Sequence, residues 1–167
     1  ERYGGGGMHV ANGAKVHLAD STFIRNFAAS YGGAVSLSGW RSSLTMMGLT
    51  QFKGNQAYRG GAVACLDGAE VVIGEDASLR NSQFVSFVGN AAFWSGGGIF
   101  VDSAKVAITT AATLVFGNSV SHGGTFVYVG ENATVLLSGA LSLSNNTAAL
   151  GQGDAVAAVT TPNFDGG

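Results

Sequence analysis

The chain is 167 residues long, with 11% charged residues, 27 glycines, one proline and a formal net charge of −2. That length can bury a real core, but so few charges, against ~25% in an ordinary soluble domain, leave no basic face for nucleic acid. No run approaches the ~18 continuous apolar residues of a membrane-spanning helix, so direct membrane insertion is not expected, and ERYGGGG lacks the basic start and apolar core of a secretory leader.

From the amino end, each unit carries the same three blocks. The first reads GGGMHV (from Gly5), AKVHL (from Ala14) and FIRN (from Phe23). The second reads GGAVSL (Gly32), SSLTM (Ser42) and FKGN (Phe52), and the third GGAVAC (Gly60), AEVVI (Ala69) and FVGN (Phe87). The fourth reads GGGIFV (Gly96), AKVAI (Ala104) and VFGN (Val115), and the fifth GGTFVY (Gly123), ATVLL (Ala133) and LSNN (Leu143). Gly151 to Val156, GQGDAV, is an imperfect last copy. A repeat of about 28 residues marks stacked supersecondary units that cannot bury an apolar face alone.

Within the blocks small or polar residues alternate with apolar ones, the period of a half-buried strand. Helix fits poorly, because each unit contains glycines that cost ~1 kcal/mol apiece inside one. The pattern predicts an all-β protein, a right-handed single-stranded parallel β-helix of about five to six coils with three short strands per coil. Residues 1–167 form one such domain, expected to be a segment of a larger protein lacking its true amino terminus. An antiparallel sandwich would want Asn-Gly hairpin tips, and only Asn12-Gly13 qualifies. The interval from Gly60 to Gly96 is the longest, and the excess falls after Ile73, predicting an insertion near 74–82 in GEDASLRNS.

Coil stacking predicts three inward ladders: Met8, Val35, Val63, Ile99 and Phe126; Val16, Leu44, Val71, Val106 and Val135; and Phe23, Phe52, Phe87, Val115 and Leu143. The block-ending asparagines Asn26, Asn55, Asn90, Asn118 and Asn146 recur at one template position where a strand gives way to a turn. A side-chain amide both donates and accepts, so these five are expected to form a structural hydrogen-bonded column at the ~4.8 Å strand spacing. The glycines that follow supply the tight reversal.

Repeated Phe-x-x-Asn followed shortly by Gly-Gly-Ala-Val or Gly-Gly-Gly-Ile resembles the repeat of the chlamydial polymorphic outer membrane proteins, with its FxxN and GGA[ILV] motifs. The resemblance runs from Gly5 to roughly Val156 and is best in FIRN/GGAV, FKGN/GGAV and FVGN/GGGI. It weakens where Val115 and Leu143 replace Phe and GGTF replaces GGAV. It implies a right-handed β-helical passenger at the cell surface, acting in adhesion or as a rigid stalk.

Parallel β-helices also serve pectin-processing enzymes, which need clustered carboxylates or a Ca²⁺ site. Asp67, Asp102 and Glu131 fall after the first block in three consecutive coils, and solvated turns account for them. His9 and His17 point outward, His122 lies in a turn, and Cys65 takes an inward strand position as a core thiol. No catalytic residue, metal or cofactor is expected. The spacer between asparagine and glycines carries Phe27, Tyr31, Tyr58, Phe93, Trp94 and His122, with Arg25, Lys53 and Arg59 beside them, and stacking predicts a contact strip along one edge. The sequons Asn132-Ala133-Thr134 and Asn145-Asn146-Thr147 are candidate glycosylation sites.

The expectation is thus a non-enzymatic extracellular, cell-surface structural or adhesive segment of a surface protein or filament, contacting protein partners, neighbouring subunits or glycans. A polysaccharide-binding or pectate lyase-like polysaccharide-processing β-helix is the alternative.

Overall fold

A computed structural model describes residues 4–74, 84–109, 113–138, 140–149 and 155–158. Among them every regular element is a strand, and every strand pairs in parallel with its counterpart one coil on. The alternating blocks put one side chain in and the next out, and no strand can bury its apolar face until the following coil covers it. The result is a β-solenoid of about five coils with four sheets. Strands such as Val35–Ser38, Val63–Leu66 and Ile99–Asp102 build the first sheet, Ser43–Met47 and Glu70–Ile73 the second, and Gln51–Lys53 and Val85–Val88 the third.

The fourth sheet is an addition to the three expected strands. The asparagine-to-glycine spacers, read as turns in the sequence, form Phe27–Tyr31, Gln56–Arg59, Ala91–Ser95, Ser119–Val120 and Thr147–Ala148. Ala28, Ala57, Ala92 and Val120 sit buried on its inner face. Residues this small give a weak alternation signal. The longer interval falls between Ile73 and Val85, where the register resumes; the insertion expected near 74–82 lies outside the described residues except for Gly74.

The second and third ladders have the expected registers, Val16–Leu44–Val71–Val106–Val135 and Phe23–Phe52–Phe87–Val115–Leu143. The first needs one correction: Val127, not Phe126, follows Met8, Val35, Val63 and Ile99. The reversal requires a left-handed glycine, supplied by Gly32, Gly60, Gly96 and Gly124 with φ of +61° to +70°. Gly123, the first of its pair, instead forms an isolated parallel bridge with Ser95 beyond the Ser119–Val120 strand, which moves the motif on by one.

Phe126 consequently takes the position of Ala34, Ala62 and Gly98. Its ring lies edge-on to Phe87 at 5.3 Å and 61°, where the stacked column Phe23–Phe52–Phe87, at 5.2 and 5.0 Å between centroids, gives way to the smaller Val115. Gly98 makes the room, since a Cβ there would come within 2.7 Å of the Phe126 ring.

Beside this column runs the asparagine column. The Nδ2 of Asn55 donates to Asn90 Oδ1 at 3.0 Å and to the Phe23 carbonyl at 3.0 Å. Its Oδ1 accepts from the backbone N–H and the Nδ2 of Asn26 at 3.0 and 2.9 Å. Asn90 and Asn118 repeat all four bonds, to Phe52 and Phe87 below and to Asn118 and Asn146 above. All three interior amides are fully buried, and with two donors and two acceptor sites used each is fully satisfied.

Two stability tests follow. Asn90→Ala is expected to lower unfolding free energy by roughly 3 kcal/mol and Asn90→Asp by more, because a carboxylate has no proton to give Asn118 and Phe52; urea titrations that place both near wild type would remove the column's structural role. Gly98→Ala is expected to cost about 1–3 kcal/mol through overpacking and clearly less in a Phe126→Ala background, where only the Phe126 carbonyl at 3.0 Å stays close, a coupling that a double-mutant cycle reads directly.

Candidate functional site

The outward side chains of the fourth sheet depend on spacer length. The spacer after Asn55 is one residue shorter than those after Asn26 and Asn90, so strand pairing slips between Ala28 and Tyr31 and between Ala92 and Ser95. Tyr58 therefore faces two aromatics, Phe93 at 5.6 Å and Trp94 at 6.1 Å between centroids. Trp94 in turn stacks on His122 at 3.7 Å. These four rings span three coils as one ribbon. Phe27, 68% exposed, and Phe93, 67% exposed, line a shallow groove of about 440 Å³ with Ala57 and Tyr58.

Tyr31 departs from the strip. It turns over the corner where the fourth sheet meets the first, its ring 6.0 Å from Phe100 and its hydroxyl accepting a 3.1 Å hydrogen bond from Arg59 Nη1. The Arg59 guanidinium lies 5.4 to 5.9 Å from the rings of Phe100, Tyr58 and Tyr31, within cation–π range. Phe100 stacks on Tyr128 at 5.4 Å and 8°. Its side chain stands on the outer face of the first sheet yet is only 4% exposed. Ser36 and Ala64, in the same column, are fully buried as well. The outer face is thus covered at this corner, and Tyr31 belongs to the cover.

Asp102 is placed among charges. Burial raises its carboxyl above the usual range, a hydrogen bond from the Glu131 backbone opposes this, the Glu131 and Asp67 carboxylates raise it further, and Arg59 draws it back down. Among the described residues no three His, Cys, Asp or Glu side chains are grouped to hold a metal ion. His9 and His17 are exposed on their strands. Cys65 is fully buried, its thiol donating to the Lys105 carbonyl at 3.7 Å, and desolvation pushes it up to about 12. Such a thiol stays protonated and unreactive at neutral pH. Asn132 and Asn145 are both exposed, each at a left-handed turn with φ of +50° and +53°.

Sequence reasoning passed over Trp40. It sits in the turn joining the first sheet to the second, 84% exposed, flat enough against Gly68 that a Cβ there would meet its ring at 3.2 Å. The groove beside it, about 1070 Å³, is lined by Lys15, Arg41, Asp67, Glu70, Lys105 and Asn132 among others. The available signal was the extra residue in Gly39-Trp40-Arg41-Ser42 compared with the equivalent turns.

A raised carboxyl pKa in the folded state means that protonation favours folding. The stability contributed by protonated Asp102 is present in full below the unfolded value of ~3.9 and lost as pH rises through the higher folded value. Asp102→Asn is therefore expected to flatten the fall in melting temperature on going from acid to neutral pH, and parallel profiles for the two proteins would show that Asp102 carries no such penalty. Compared with known proteins, the chain matches no family model and shows no significant similarity to a curated protein or to a solved structure.

Proposed function

We propose that the protein is a non-enzymatic surface scaffold, a rigid structural or adhesive β-solenoid of a cell-surface protein or filament whose fourth sheet makes the contact. The observation that carries this reading is the paired exposure of Phe27 and Phe93 two coils apart beside the Tyr58–Trp94–His122 ribbon. Apolar rings held in fixed register on a stiff sheet lose little side-chain entropy when covered, and exposed apolar patches commonly mark contact sites. Five coils at strand spacing make a rod of roughly 25 Å, stiffened by the buried amide column. The likeness of its Phe-x-x-Asn and Gly-Gly-Ala-Val repeats to the polymorphic outer membrane proteins supports the same setting. Glycan at Asn132 and Asn145 would fit it, since both are exposed at turns.

The test is retention of protein-coated beads on cultured epithelial cells. Phe27→Ser with Phe93→Ser is expected to bring retention down to that of bare beads while melting temperature stays at the wild-type value, because both rings are two-thirds exposed. Retention unchanged by the double substitution would end the assignment of the strip. Release of unsaturated or reducing ends from polygalacturonate, with or without Ca²⁺, would replace the scaffold reading with the enzymatic one.

A further inference from the structure

The corner between the fourth and first sheets holds a second feature, which shares Trp94 with the strip. A cleft of about 320 Å³ opens there, lined by the polar groups of Arg59, Ser95, Asp102 and Glu131 and by the rings of Trp94, Phe100 and Tyr128. Ser95 is 1% exposed and its Oγ has no hydrogen-bond partner; the Nε of Arg59 is likewise buried and unpartnered. Ser95 and Arg59 are cross-strand neighbours, so both desolvated groups belong to the same wall. Buried polar groups left unpaired are rare in folded proteins, and two adjacent ones lining a cleft indicate a surface built to be completed from outside.

We propose that this cleft binds one neutral pyranose residue of a glycan. Its volume lies at the small end of ligand pockets, which run from ~300 to ~1,000 Å³, and suits a single ring better than a chain. The partly exposed Tyr128 ring, backed by Phe100, and the free edge of the Trp94 indole offer apolar surface to the C–H side of a sugar. Arg59 offers donors, the Asp102 and Glu131 carboxylates offer acceptors, and Ser95 can do either. A polyol with hydroxyls around its rim answers both. An anionic ligand would be set against Asp102 and Glu131, and an ammonium against Arg59. The assignment can be tested separately from the exposed pair of the strip, because neither Phe27 nor Phe93 lines the cleft.

The chain has two tryptophans, Trp40 and Trp94, so Trp40→Phe leaves Trp94 as a single fluorescent reporter in the cleft wall. Titration of that variant with the methyl glycosides of glucose, galactose, mannose and N-acetylglucosamine is expected to give a saturable change with at least one of them. In the same background Ser95→Ala and Asp102→Asn should each raise Kd by about 10-fold, while Phe27→Ser with Phe93→Ser leaves it unchanged. Ser95→Ala removes an unpaired group, so its melting temperature should equal or exceed that of the parent, which separates lost binding from lost folding. No saturable response to any glycoside would overturn the proposal. So would wild-type affinity in Ser95→Ala, or a saturable response to choline or to acetate in place of the sugars.

Discussion

The buried amide column constrains everything else in this molecule. An asparagine in an apolar core is costly unless every donor and acceptor is used, and Asn55, Asn90 and Asn118 meet that condition only when successive coils lie in one vertical register. Displacing a coil by a single residue would leave amides without partners and turn the neighbouring apolar side chains outward. The hydrophobic ladders supply most of the driving force for folding. They are tolerant of sliding, since Val, Leu, Ile and Phe differ little in what they accept as neighbours. The asparagines are not tolerant, and they select one arrangement from several that would bury similar area. Each also bonds the carbonyl of the Phe column one coil below, so the polar and aromatic columns fix each other's height.

With registry fixed inside, variation is confined to the turns and outer faces, where chain length differs from coil to coil. One residue fewer after Asn55 sets Tyr58 against both Phe93 and Trp94. One residue more in the turn after Leu37 lifts Trp40 into solvent. In the fifth coil the left-handed glycine is Gly124, the second of its pair, so Gly123 bridges to Ser95 and Phe126 is carried into the core. These small length differences distinguish the faces of an otherwise uniform rod and place aromatic and charged groups at the corner where the fourth and first sheets meet.

What was legible in the sequence follows from this division. The strands of the second and third sheets were legible because Val, Leu, Ile and Phe recur at strict alternation. The asparagines were legible because an amide kept at one place in five repeats can satisfy its donors and acceptors on the copies above and below it. The fourth sheet was not, because its inward residues are mainly alanines, whose burial yields too little free energy to impose a visible period. Phe126 was misplaced because aligning on paired glycines equates Gly123 with Gly32, Gly60 and Gly96, whereas the left-handed residue that sets the register in that coil is Gly124, the second of its pair. Arg59 gave no sign that it would be half-covered by rings contributed from neighbouring coils. Vertical contacts of that kind require the register first, and Tyr31, Ser95 and Asp102 came together only once it was known.

The packing of Phe126 against Phe87, with Gly98 making room, sets a polarity on the stack. The first three coils present interchangeable Phe rings and small residues to one another, so exchanging them would preserve the interior. The fourth and fifth cannot be moved in this way without cost: a coil bearing alanine at the position of Gly98 would be overpacked beneath Phe126, and Val115 without that ring nearby would be less well covered. A solenoid of near-identical turns thus carries, in three residues, an instruction about the sequence in which its turns must follow one another.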